Sequence, residues 1–347
     1  MRKSNFEVLR LLCIFGIVFM HAMGNIDTGL STWNTEWHIF TNALFNTGVT
    51  CFILISGYFG IEFRLVKLIE MDFMAILYTV LGVAARGNFD TKELLRACLP
   101  VITRRYWFIT CYFALCFIAP LLNEFVKKVK KQIFEKLLVT LLVLFSVIPT
   151  ITTYDIMQDA GKGLVDFVMI YLIGRYLALY EMKSHQKKRL CEGSILCILA
   201  IFVLDSILTQ INGTLYSTFA RDCSIFIIMA AVGIFLLFKE MEFSNGLVNR
   251  IAGNVLAVTV LDEHIQYFLK PYTRLETYGD SRMLVVLVAG YTTLVVVIAV
   301  SINEVRKVTV GKIGHRCAIF LAKRCDAILP IIIRKLKKIE NWFFEDI

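Results

Sequence analysis

Residues 5–24 read Asn5-Phe6-Glu7-Val8-Leu9-Arg10-Leu11-Leu12-Cys13-Ile14-Phe15-Gly16-Ile17-Val18-Phe19-Met20-His21-Ala22-Met23-Gly24. At ~1.5 Å of rise per residue, an apolar run of this length crosses the ~30 Å hydrocarbon layer of a bilayer as one α-helix. Three ionisable residues interrupt it: Glu7, Arg10 and His21. Charge inside hydrocarbon is costly, so each is a functional candidate by default. At ~100° per residue Arg10 and His21 fall on one helix face, ~16 Å apart along the axis. Glu7 lies one turn before Arg10, within ion-pair reach. The plainer reading makes His21 an interfacial histidine and Arg10 a charge that snorkels to the surface. The sharper one makes His21 a general base, because imidazole titrates near neutral pH.

The same apolar pattern recurs along the chain. Runs long enough to span occur at 6–24, 38–60, 66–85, 106–122, 137–153, 164–180, 190–209, 219–238, 252–269 and 283–302. The fold class expected is therefore all-α: a polytopic membrane bundle of about ten helices over 1–302, with a tail over 303–347. Composition agrees. Of 347 residues, 57% are hydrophobic with glycine left out, against ~45–50% with glycine included in soluble domains. No polar stretch is long enough for a separate soluble domain. The third and fourth runs are the weakest, since 66–85 opens with Lys67, Glu70 and Asp72. The polar stretch 86–105 between them is either a loop or a re-entrant segment.

Charge sets the orientation. With the amino terminus inside and each Lys or Arg assigned to the nearer flank, 26 fall inside and 10 outside, with Arg175 left within a span. The excess places both termini in the cytoplasm. The net charge of +9 is then a membrane signature, and nucleic-acid binding is not expected. Arg2 and Lys3 before an apolar run imitate a signal peptide, but no A-x-A site follows, so the segment is expected to be retained. Residues 315–338 alternate Ile319, Phe320, Leu321, Ile328 and Leu329 with Arg316, Lys323, Arg324, Lys335 and Lys338. That pattern suits an amphipathic cytoplasmic helix on anionic lipid, kinked at Pro330 and anchored by Trp342-Phe343-Phe344. The ten cysteines contain no C-x-x-C pair. They read as small buried hydrophobes, with neither a disulfide framework nor a metal site.

Three further polar groups stand out. Ser56-Gly57-Tyr58-Phe59 leads to Arg64 and Lys67 at a cytoplasmic helix mouth. Two cations one turn apart suit a phosphate, although positive-inside flanks look the same. Asp262-Glu263-His264 places three ionisable groups in the ninth span. Tyr106-Trp107-Phe108 begins the fourth, followed by Tyr112, Pro120 and Asn123. Such aromatics form either an interfacial belt or a platform for a sugar ring. There is no Gly-rich phosphate loop, H-E-x-x-H or G-x-S-x-G.

Taken in order, these segments resemble the acyltransferase-3 family of bacterial membrane O-acyltransferases. Asn5-Phe6-Glu7-x-x-Arg10 followed after ten residues by His21 is similar to the family's opening motif. Ile55-Ser56-Gly57-Tyr58-Phe59 is similar to its second-helix motif, Arg64-x-x-Lys67 to its R-x-x-R pair, and Tyr106 through Asn123 to its aromatic segment. Two positions depart from the pattern. Lys67 replaces the second Arg, and Asp262 stands where relatives often carry the first His of H-E-H. The resemblance implies an acetyl or other acyl group moved from acyl-CoA to a hydroxyl of a surface or lipid-linked polysaccharide at the bacterial inner membrane. Acyl-CoA would be a co-substrate, with no permanently bound cofactor. It implies His21 as base or acyl carrier, supported by Arg10 and Glu7, with Glu263 or His264 facing the same cavity. Arg64 and Lys67 would hold donor phosphates, and Trp107, Tyr112 and Asn123 the acceptor. The competing class is a transporter or flippase of a polysaccharide precursor, whose intramembrane charges would line a substrate path. Neither paired broken helices nor a half-to-half repeat supports it.

Overall fold

The computed structural model describes residues 3–29, 31–87 and 90–325, and among these every regular element is helical. Two compact units form. The first comprises the described residues up to Phe63 and from Arg104 to Ser301, and the second those from Arg64 to Thr103 and from Ile302 onwards.

The first unit opens with α1 (Ser4–Met23), α2 (Thr32–Phe45) and α3 (Thr47–Phe59). It continues with α6 (Trp107–Lys128), α7 (Lys131–Leu142) and α8 (Ile148–Thr152), the last two joined by a π turn over Val143–Val147. Next come α9 (Leu164–Leu179), α10 (Ser184–Asn212), α11 (Ile225–Lys239), α12 (Gly246–Ala252), α13 (Val255–Thr273) and α14 (Leu284–Thr309), whose last turns belong to the second unit. The second unit also holds α4 (Leu65–Ala85) and α5 (Thr91–Cys98).

Among the described residues, seven helical runs are long and apolar enough to cross a bilayer: Ser4–Met23, Thr32–Phe59, Leu65–Ala85, Trp107–Lys128, Lys131–Thr152, Ser184–Asn212 and Leu284–Thr309. The other three expected spans are helices as well. Ile225–Lys239 and Leu164–Leu179 are short, at 15 and 16 residues, and α13 carries the Asp-Glu-His triplet. The bundle is thus established and a count of ten crossings is not. The polar stretch after α4 contains α5, whose 8 residues span only ~12 Å. Asp90 caps it, accepting from the Glu93 amide at 3.1 Å, and Lys92 and Arg96 are exposed. It is a short capped surface helix. Residues 311–325 are helical; the remainder of the expected amphipathic tail, including Pro330 and Trp342, lies outside the described residues.

Close backbone approach holds the first unit together. Among the most extensive pairings is α3 on α9, and it crosses at Gly57 and Gly174. A Cβ on Gly57 would sit 3.1 Å from Gly174 Cα, and one on Gly174 would sit 2.5 Å from the Leu54 carbonyl oxygen. Without a hydrophobic drive between helices in lipid, such small-residue contacts let dispersion and backbone dipoles act at short range. Gly57 of the Ser-Gly-Tyr-Phe segment is therefore required by packing. Asn5 has a structural task too: its amide donates to the Phe238 carbonyl at 2.8 Å, satisfying an acceptor near the end of α11. Cys13, Cys51, Cys111, Cys116, Cys197 and Cys223 are buried as expected, whereas Cys98, Cys317 and Cys325 are exposed and Cys191 is half-buried.

Gly57→Leu or Gly174→Leu should therefore abolish the monodisperse, detergent-extracted protein on size exclusion. Gly193→Ala should leave it unchanged, since no atom lies within 4 Å of an added Cβ there.

Candidate active site

His21 ends the first span as the third residue from the carboxyl end of α1, where the Asn25 amide donates to its carbonyl at 2.8 Å. Its ring meets α13. Nδ1 lies 2.5 Å from Asp262 Oδ2. The Asp262 side chain is only 3% exposed, whereas that of His21 is 59% exposed. The second carboxylate oxygen, Oδ1, accepts from the Gln266 amide at 2.6 Å, and the Tyr291 hydroxyl reaches the Gln266 carbonyl at 3.4 Å. The i,i+4 spacing of Asp262 and Gln266 puts both on one face of α13. An ionised carboxylate only accepts, so the Nδ1 proton belongs on the Asp262 side and Nε2 keeps its lone pair. The result is a buried acid holding an oriented, largely exposed imidazole.

The sequence places Glu263 or His264 in the same cavity as His21. The contact comes instead from Asp262, the residue that departs from the family pattern. Steps of ~100° per residue separate the three side chains. Glu263 is 57% exposed and lies 3.9 Å from an Arg105 nitrogen. His264 is buried, and its Nε2 lies 3.2 Å from the Tyr106 hydroxyl. Tyr106 immediately precedes α6, so α6 and α13 are tied by a polar contact that spacing alone did not reveal.

Arg10 and Glu7 sit on the same helix as His21, ~16 Å and ~21 Å away along its axis. An Arg10 terminal nitrogen is 3.7 Å from Glu7 Oε2, with Glu7 buried and Arg10 half-buried.

The three residues expected to hold an acceptor do not form one group. Trp107 begins α6, edge-on to Phe167 at 6.0 Å and beneath the Lys162 ammonium at 5.8 Å. Tyr112 stacks on Phe108 at 6.2 Å. Asn123 is ~24 Å down the helix from Trp107. Its amide donates to the Ile61 carbonyl at 3.0 Å, and its oxygen accepts the Tyr171 hydroxyl at 2.8 Å. The Ile61 amide in turn donates to the Tyr171 oxygen at 3.0 Å. Asn123 thus clamps the turn after α3, which explains its place in the segment without a ligand. Arg64 and Lys67 belong to the second unit, exposed at the amino end of α4. No group of His, Cys, Asp or Glu among the described residues is arranged to hold a metal.

Fold and site together define a polytopic helical membrane protein with a His–carboxylate centre at one end of its first span. The acyltransferase-domain family, acyltransferase-3, matches residues 3–304, so the chain belongs to that family and is a membrane acyltransferase. No curated protein matches the chain, and no solved structure does.

Gln266→Leu would strip a buried carboxylate oxygen of its donor, a loss of about 1–3 kcal/mol or more. It should lower the thermal midpoint of the purified protein clearly more than Tyr291→Phe, whose hydroxyl contact at 3.4 Å is marginal.

Proposed function

We propose that the protein moves an acyl group, acetyl in the simplest case, from acyl-CoA to a hydroxyl of a surface or lipid-linked polysaccharide in the bacterial inner membrane. The observation that carries this reading is the 2.5 Å contact of His21 Nδ1 with buried Asp262. His21 Nε2 takes the acceptor's hydroxyl proton as that oxygen attacks the thioester carbonyl. The C–S bond then breaks, the new ester keeps the acyl group, and the CoA thiolate leaves and collects the proton. Asp262 holds the imidazole in the productive tautomer and offsets the charge it gains, and Gln266 fixes Asp262. A variant path places the acyl group on His21 first.

Arg64 and Lys67 are the proposed contacts for donor phosphates. Cations at a helix amino terminus oppose the helix dipole, which favours anions there. A phosphate satisfies both the dipole and the two side chains. The Arg10–His21 offset suits a donor entering from the inner side and reacting deeper in the bilayer. The acceptor would meet the half-buried aromatic end of α6 at Trp107.

Replacing His21 by Ala should reduce polysaccharide O-acylation by roughly 10²–10⁴-fold, the usual worth of positioned proton transfer. His21→Gln keeps polarity without basicity and should be nearly as inactive. Both should insert at normal levels. Near-normal O-acylation by well-inserted His21→Ala would refute the mechanism. Orientation is checked by reporter fusions at Asp27 and His185, expected on opposite faces with His185 cytoplasmic. Finding both on one face would contradict the charge-based topology.

A further inference from the structure

In the second unit, the first turns of α4, the end of α14 and the helical stretch after it form a cleft of about 200 Å³, lined by Glu70, Phe73, Arg306, Lys307, Gly311, Gly314 and His315. This is several times the ~30 Å³ share of a water molecule, enough for a phosphate and part of its ester. The basic asymmetry assigns this end to the cytoplasm.

The lining carries two permanent cations, Arg306 and Lys307, against one carboxylate, Glu70. That carboxylate is already answered, because His315 Nδ1 contacts its Oε1. Arg306 is held by neutral groups. Its Nε donates to Asn303 Oδ1 at 2.8 Å, and the same oxygen accepts the Tyr78 hydroxyl at 2.8 Å. Asn303 is 2% exposed, so the guanidinium is fixed in orientation by a buried amide and not by an acid. Lys307 pairs with Glu304 at 2.8 Å along its own helix, a surface pair of the weak, exchangeable kind. Packing does not demand glycine at position 311: an added Cβ would find its nearest atoms at 3.6 and 4.0 Å. A side chain there is tolerable to the fold but would enter the cleft.

We propose that this cleft is a phosphate-binding site, with Arg306 as the fixed fork and Lys307 as the mobile charge. A pre-oriented guanidinium without a carboxylate suits bidentate recognition of phosphate oxygens, and a flexible ammonium completes the charge. Two sources carry that chemistry at a cytoplasmic membrane surface: the phosphates of a soluble nucleotide such as acyl-CoA, and the headgroup of an anionic phospholipid. The site stands on its own geometry and does not require the acyl-transfer reading.

The test uses the full chain in phosphatidylcholine nanodiscs, comparing wild type with the Arg306→Gln/Lys307→Gln double variant. One arm titrates acetyl-CoA by calorimetry. The other replaces part of the lipid with phosphatidylglycerol and counts retained lipid by native mass spectrometry. Loss of about tenfold in acetyl-CoA affinity, about 1.4 kcal/mol, identifies the nucleotide source. Loss of retained phosphatidylglycerol identifies the headgroup. Gly311→Leu, which fills the cleft and keeps every charge, should reproduce whichever loss is seen, and it decides the matter if the double variant fails to fold. Gly193→Ala should leave both arms unchanged, and neither arm measures acyl transfer, so failure of the proposed chemistry is read separately. If Gly311→Leu and a folded double variant both match wild type in both arms, the site does not exist.

Discussion

A buried carboxylate in an apolar helical bundle must be answered, and Asp262 is answered twice. Its two oxygens are taken by the His21 ring and the Gln266 amide, with the side chain almost fully buried. In hydrocarbon, an unmatched carboxylate would cost several kcal/mol or neutralise itself. The pairing therefore fixes where the end of α1 lies against α13 and which imidazole nitrogen stays basic. The chemical reading depends on that one contact. Remove the acid and His21 becomes an exposed histidine at a helix end, which is how its position alone could also be read.

Much of what surrounds the pair is backbone satisfaction in a solvent that offers no hydrogen bonds. Asn5 reaches across to the end of α11, and Asn123 and Tyr171 together occupy both polar groups of Ile61. Gly57 and Gly174 bring α3 and α9 to backbone contact. Several residues that stand in recognisable family segments thus earn their places by holding helices together.

The helical membrane bundle was legible in the sequence because span length and basic asymmetry are direct consequences of bilayer thickness and charge. The shared face of Glu7, Arg10 and His21 was legible for the same reason, helical periodicity. What spacing could not give was which residue of Asp262-Glu263-His264 meets His21, since that depends on the rotation of α13 about its own axis. The sequence does carry one signal: Asp262 and Gln266 are both polar and one turn apart, whereas Glu263 has Arg105 and His264 has Tyr106 to turn towards. Resemblance pulled the other way, because the family's pattern places a histidine at 262. The aromatic segment shows the same limit of a motif read along the chain. Trp107, Tyr112 and Asn123 are contiguous in a motif but spread along one helix, and a length of ~24 Å separates the first from the last.

The central claim is that His21 and Asp262 act as one unit in acyl transfer. A double-mutant cycle tests this most directly, with O-acylation of polysaccharide measured in cells for His21→Ala, Asp262→Asn and the two together, each normalised to inserted protein. Residues that work through one another are non-additive. The account predicts that Asp262→Asn loses much of the activity, and that the double variant is no worse than His21→Ala alone. Full activity in Asp262→Asn, or a double variant whose loss is the product of the two single losses, would contradict it.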